Sequence, residues 1–296
     1  MSYTFWILLT ASLVGITCGI VGVLLILRKL AMLSDAISHT VLLGIISAYL
    51  VTQSLDGWTM FIGALIVGVF TTVFVQMLNA AGVQSDAAIG IVFTFLFAIG
   101  VILVSMYASN VHIDVEHTVM GEIGFIPWET VNWFGIEGIP QAVWMLGIVL
   151  VIDVILLLLF YKEFKLSTFD PELAAAIGLP VGLLHYILMG MTSLTAVASF
   201  DAVGAILVVA MLIAPGATAY LLTERFPVMF ILSAVFGMLA AFSGYYIAAW
   251  LDASIAGMMA TMAGVLFLLA FIFSPTHGLI AKAVSQKKVS EVNADT

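Results

Sequence analysis

Long apolar runs, each near the length of a bilayer crossing, follow one another along the chain with only short polar breaks. They occupy 5–27, 36–53, 58–79, 87–108, 141–161, 182–200, 202–222, 228–250 and 253–273. A spanning helix needs roughly 20 mainly apolar residues, because lipid offers the backbone no hydrogen-bond partner and the segment must satisfy itself. The pattern predicts an all-α, polytopic transmembrane bundle of about nine spans. The second and sixth runs are short and contain histidine, and only Asp201 separates the sixth from the seventh. A broken pair or a re-entrant segment there keeps eight to ten spans open. Met1–Thr4 carries no basic residue and the run from Phe5 to Leu27 is long enough to cross, so a retained helix is expected rather than a cleavable signal.

Charge placement selects among these counts. Nine crossings from an outside N-terminus make 28–35, 80–86, 162–181, 223–227 and the tail after 273 the inner segments. Arg28, Lys29, Lys162, Lys165, Arg225, Lys282, Lys287 and Lys288 all then fall inside, while Asp56, Asp114, Glu116, Glu122, Glu129, Glu137, Asp201 and Asp252 fall outside. That is the positive-inside bias, and dropping one span would put basic residues on both sides. The expectation is a multi-pass protein of the cell membrane, with its C-terminus, including a 274–296 tail, in the cytoplasm.

Composition agrees. The chain is 64% hydrophobic and 8% charged, against about 25% charge in soluble domains, too little to coat a water-exposed surface. One membrane domain over 1–296 is expected, without a soluble domain or linker. Cys18 is the single cysteine, which excludes an internal disulfide or a CxxC site. A net charge of −9 argues against nucleic acid as partner. The sequence holds no Walker A pattern, so P-loop ATP hydrolysis is not expected of this chain and it is read as no enzyme. Gly15, Gly19 and Gly22 in the first span, and Gly257, Ala260 and Gly264 in the last, are small enough for close helix approach, within one subunit or at a dimer seam.

Ionisable groups at membrane depth cost on the order of 2.5 kcal/mol or more, so those present are candidates for function. Asp35 and His39 stand four apart and hence on one helical face. A carboxylate oxygen and an imidazole nitrogen suit a divalent transition metal such as Mn²⁺ or Zn²⁺, with Ser34 and Ser38 beside them. Alternatively Asp35 caps the helix and His39 bonds a neighbour. Asp153 lies mid-span, either bonded to a neighbouring helix or serving transport directly. His112, Asp114, Glu116 and His117 alternate in an outer segment, as a cation-collecting entrance or as a solvated loop on which a partner docks. His185 and His277 fall near inner boundaries.

The inner loop 162–181 has its own order. Asp170 at a cap, Pro171 at the first helical position and Glu172 in the first turn predict a short helix, which Gly178 and Pro180 stop. Such a helix serves as a lever for a cytoplasmic partner or lies at the lipid boundary.

At these residues the chain resembles the permease subunit of bacterial ABC importers for manganese, zinc or iron. The matching stretches are 25–39 (LILRKLAMLSDAISH), 85–100 (SDAAIGIVFTFLFAIG), Phe169–Pro180, 203–217 (VGAILVVAMLIAPGA) and 273–278 (FSPTHG). The resemblance implies a vitamin-B12-importer-like (type II) fold. In it two permease copies enclose a pathway, a cytoplasmic ABC ATPase dimer binds below and an extracellular metal-binding protein delivers the ion. It further implies a coupling helix within 167–180, with Phe169, Asp170, Pro171, Glu172, Gly178 and Leu179 facing the ATPase, and a channel metal site at Asp35 and His39. The transported ion, Mn²⁺ slightly ahead of Zn²⁺ or Fe²⁺, is then cargo, and no bound cofactor is expected. Two rivals are a self-sufficient secondary transporter using Asp153 as a proton site, and a structural subunit of a respiratory assembly.

Overall fold

A computed structural model describes residues 3–53, 57–107, 123–124, 126, 130–133, 136–274 and 278. Among these, nine helices are long and apolar enough to cross a membrane. They are α1 (Tyr3–Leu27), α2 (Ala31–Thr52), α3 (Gly57–Ala80), α4 (Ser85–Tyr107), α5 (Gln141–Leu159), α8 (Val181–Val203), α9 (Ala205–Leu222), α10 (Phe226–Leu251) and α11 (Ile255–Phe273). Between α5 and α8 lie two short helices, α6 (Tyr161–Phe169) and α7 (Pro171–Ala176). The all-α expectation has one exception, an antiparallel pair of strands, β1 (Thr130–Trp133) and β2 (Ile136–Pro140), with Thr130 opposite Pro140. Strands of four and five residues are too short to register as hydrophobic runs.

The bundle is organised around α1, which packs along α9 and α10, while α2 packs along α3 and α4. Lipid is as apolar as leucine, so close backbone approach and interhelical hydrogen bonds carry the association. Gly15 meets Gly237 of α10: a Cβ on Gly15 would stand 2.7 Å from the Gly237 carbonyl carbon. At Gly22 a Cβ would collide with the Leu212 carbonyl of α9. The first-span glycines therefore serve packing within one subunit. Gly264, by contrast, faces open space. Hydroxyls add ties between helices: Thr71 donates to Thr40 at 2.9 Å and Ser233 to the Gly19 carbonyl at 2.8 Å. Gly22→Val is expected to separate α1 from α9 and cost about 2–4 kcal/mol, in the range of severe core overpacking. A lowered melting temperature in detergent, with Gly264→Ala unaffected, checks this.

Three boundaries differ from the sequence expectation. Helix α2 begins at Ala31 instead of 36, and a tight turn replaces the 28–35 connection. Lys29 adopts φ 59° there, and the Leu30 N–H bonds the Leu25 carbonyl. Burial of Leu30 and Leu33 holds the extra turn against the bundle. Next, Phe160, at φ −104° and ψ 24°, ends α5 and redirects the chain into α6. Finally, Asp201 lies inside α8, and the break falls at Gly204, at φ 78° and ψ 167°. Only glycine takes that backbone cheaply.

The Gly204 turn is sunk within the bundle. Ser199 of α8 sits beside Cys18 of α1, Oγ to Sγ 3.3 Å. Five further residues rise roughly 7 Å, whereas Tyr3 stands roughly 22 Å from Cys18 along α1. Irregular backbone is tolerated at such depth where protein buries it or a cavity adjoins it. Ala202, Val203 and Ala205 are buried around the turn while Asp201 is exposed.

The described basic residues, Arg28, Lys29, Lys162, Lys165 and Arg225, gather at one end. Arg28 at the foot of α1 reaches α6. Phe226 at the start of α10 touches Tyr161 and Phe169, with ring centroids 5.4 and 5.7 Å apart. Ser274 after α11 donates to the Leu221 carbonyl of α9.

Candidate functional site

Asp35 and His39 project from the fifth and ninth residues of α2. Their neighbours Leu33, Ser34, Ala36, Ile37, Ser38 and Thr40 are buried, so over these turns the other sides of the helix are packed and the face bearing Asp35 and His39 is left open. The His39 and Asp35 side chains are 42% and 39% exposed, and His39 Nε2 lies 3.5 Å from Asp35 Oδ1. That separation is long for a hydrogen bond. It is slightly longer than the spacing of about 3.0–3.4 Å between two adjacent ligand atoms on one ion, given metal–ligand distances near 2.1 Å. A slight closing of the pair lets a single ion touch both atoms.

The capping alternative for Asp35 does not hold. Leu30 occupies the N-cap position without a side-chain bond, and Asp35 stands one turn further in. Ser34 and Ser38 do not extend the ligand stripe either. Ser34 donates to the Ala31 carbonyl at 2.8 Å and Ser38 to the Ser34 carbonyl at 2.9 Å, both within α2. Buried hydroxyls on a helix turn back to their own carbonyls when no other acceptor is near.

The wall opposite was not legible in the sequence. Phe93 and Phe97 of α4 flank His39, with ring centroids both 5.6 Å away, one stacked and one edge-on. Both fall within the 85–100 stretch that carries the resemblance, but a spacing of four residues is common on membrane helices and nothing in that stretch pairs them with His39. They pack against the imidazole and make that side of it apolar.

Three helices agree on depth. His39 is eight residues from Ala31, Phe93 eight from Ser85, and Thr71, bonded to Thr40, nine from Ala80. At 1.5 Å per residue each count gives roughly 12–14 Å. His39 therefore lies well inside the bundle from its basic end, with Asp35 one helical turn nearer that end.

Among the described residues, no group of three or more His, Cys, Asp or Glu is placed to hold a metal. One chain brings two ligand side chains to this point. His112, Asp114, Glu116, His117 and His277 lie outside the described residues. Asp153 is elsewhere: fully buried on α5, it accepts a 2.6 Å hydrogen bond from Thr195 of α8, and its Oδ1 is enclosed. His185 bonds Gln76 of α3 at 3.0 Å, half-buried, so it joins two helices.

At the basic end, Asp170 caps α7, its Oδ1 accepting from the Leu173 N–H at 2.9 Å, with Pro171 at the first position. Gly178 at φ 87° ends it, and the Leu179 N–H returns to the Ala174 carbonyl. Ala174 is buried, whereas Phe169, Leu173 and Ile177 are 56%, 48% and 61% exposed. Glu172 lies exposed beside them. Three large apolar side chains around an acidic one make a compact knob that an apolar groove would fit.

The ABC 3 transport family matches residues 1–274. The manganese transport system membrane protein MntD of Bacillus subtilis (strain 168) is 60% identical over 282 residues, 95% of this chain and 96% of that protein. The zinc transport system membrane protein TroD of Treponema pallidum (strain Nichols) is 44% identical over 95% of this chain and 77% of its own length. The solved structure of PsaBC from Streptococcus pneumoniae in complex with Fab superposes with a TM-score of 0.78 at 32% identity, covering 94% of each chain. With a family match over nearly its whole length and relatives this close, the chain belongs to the ABC 3 transport family.

Proposed function

We propose that this chain is the permease subunit of an ATP-driven importer for a divalent transition metal ion. Manganese is favoured over zinc or iron, because the 60% identical relative is named for manganese. The observation that carries the proposal is the Asp35–His39 pair on the open face of α2, 3.5 Å apart, with His39 two helical turns in from the start of that helix. A second permease copy, related by a twofold axis, would bring another carboxylate and imidazole to the same point. Four ligands replace part of an ion's hydration shell, and carboxylate with imidazole holds Mn²⁺ less tightly than Zn²⁺, which suits a site that must also release.

The N-terminus is outside and the tail cytoplasmic in this proposal, following the basic residues. A cytoplasmic ATPase dimer takes the α7 knob, and an extracellular metal-binding protein supplies the ion. The secondary-transporter rival is not favoured: Asp153 is buried between α5 and α8, where its Oδ2 accepts from Thr195 as a tie between those helices.

The test is uptake of radiolabelled Mn²⁺ into proteoliposomes. The permease with its ATPase and delivery protein is expected to take up metal only with ATP inside the compartment that holds the ATPase. Permease alone under a pH gradient is expected to take up none. Asp153→Asn keeps an acceptor for Thr195 and should transport within about twofold of wild type, whereas Asp153→Ala should cost about 1–3 kcal/mol of stability by stranding the buried hydroxyl. Gradient-driven uptake that Asp153→Asn abolishes would reverse the assignment.

A further inference from the structure

We propose that Arg28 is a positioning residue that ties the helix bearing Asp35 and His39 to the arm bearing α7, so that movement of α7 reaches the metal site. The proposal rests on the importer assignment above. Arg28 directly follows α1, and its N–H still bonds the Leu24 carbonyl at 3.0 Å. Lys29 then reverses the chain, Leu30 closes back on Leu25, and α2 starts at Ala31. Only this short turn and the first residues of one rigid helix separate Arg28 from Asp35.

On the other side the guanidinium grips the end of α6. Nε donates to Thr168 Oγ1 at 3.0 Å and Nη2 to Ser167 Oγ at 2.7 Å. Its Cζ stands 5.6 Å from the centroid of the Phe164 ring, itself fully buried. Ser167 is 5% exposed. Thr168 is followed directly by Phe169 and by Asp170, the cap of α7. The chain from docking helix to metal-site helix is therefore α7, the last turn of α6, Arg28, the Lys29 turn and α2.

Charge alone does not account for the arrangement. The topological bias is satisfied by any cation at the foot of α1, but two adjacent hydroxyls and a ring face at once require a planar fork. Lysine offers a point charge without that geometry. Hydroxyl partners also suit a joint that works in a cycle, since neutral acceptors bind a guanidinium less strongly than carboxylates do.

The experiment measures metal taken up per ATP hydrolysed, by the full complex in proteoliposomes. That ratio is independent of how much protein folds. Arg28→Lys, and separately Ser167→Ala with Thr168→Val, are each expected to lower it about fivefold or more, a typical coupling loss. Combining them should lower it no further, because both break the same tie. Thr168→Ser, which keeps the hydroxyl, should retain the wild-type ratio. The Ser167 and Thr168 changes are small and keep the test available if Arg28 variants fail to fold. An unchanged ratio in these variants, or effects that multiply on combination, overturns the tie while the importer assignment stands. A wild-type complex without ATP-driven uptake overturns the assignment and the tie together.

Discussion

Alanine at Asp35 or at His39 is expected to reduce metal uptake by at least about 100-fold, since losing even a supporting partner of a metal ligand typically costs 10–100-fold. The size follows from symmetry. In a pathway built by two copies, one substitution removes two ligands of four, and the ion then meets an apolar wall formed by Phe93 and Phe97. Neither side chain is part of the packed core, each being about four-tenths exposed. The variants should therefore express and melt as wild type does, apart from the modest loss of ring contacts at His39. Asp35→Asn separates charge from geometry: it keeps an oxygen in place but removes the negative charge, and should retain more uptake than alanine. Radiolabelled Mn²⁺ uptake, with membrane abundance measured alongside, checks all three. Full uptake at normal abundance by either alanine variant would remove Asp35 and His39 from the proposed pathway.

Charge reversal and apolar loss on α7 should separate permease from ATPase. Leu173 and Ile177 are four apart, exposed, and held rigidly by the Asp170 cap and the Gly178 exit. Rigid apolar side chains projecting from a fixed element make effective anchors, and truncating one costs about 2–4 kcal/mol of binding at a hot spot. Leu173→Asp, which truncates the side chain and adds a charge, is expected to weaken ATPase association at least about 30-fold by that scale. Glu172→Lys should weaken it less, through mismatched charge at the rim. The cap bond uses the Leu173 backbone N–H, which both substitutions leave in place, so the permease should remain folded with Asp35 and His39 undisturbed. Association measured in nanodiscs provides the test. Binding unchanged in both variants would move the ATPase contact away from α7.

The membrane architecture was legible because its cause is local. Each span is an apolar run long enough to satisfy its own backbone. The α7 cap was readable for a similar reason: Asp170, Pro171 and Gly178 act on the backbone within one turn. Candidate ligands were legible too, because Asp35 and His39 are expensive residues in an apolar context and a spacing of four places them together on any helix.

Other features depended on partners distant in sequence. The open face of α2 exists because Thr71 and the rest of α3 cover the opposite side, which no periodicity around Asp35 reveals. Ser34 and Ser38 look like ligands in sequence and turn out to bond their own helix. The helix break at Gly204 instead of Asp201 reflects what φ each residue tolerates, where charge had suggested the boundary. Arg28 looked like one more inner cation until α6 was folded against it.

By itself, then, the order of residues determined the nine apolar spans, the caps of α7 and the identity of the two ligand candidates. These are properties of a chain segment in its own solvent, lipid or water. Tertiary structure alone decided which face of α2 stays open, how deep His39 lies, which hydroxyls are already used, and what Arg28 grips. Those depend on the close approach of helices far apart in the chain, where packing and hydrogen bonds between side chains replace the lipid that each helix would otherwise meet.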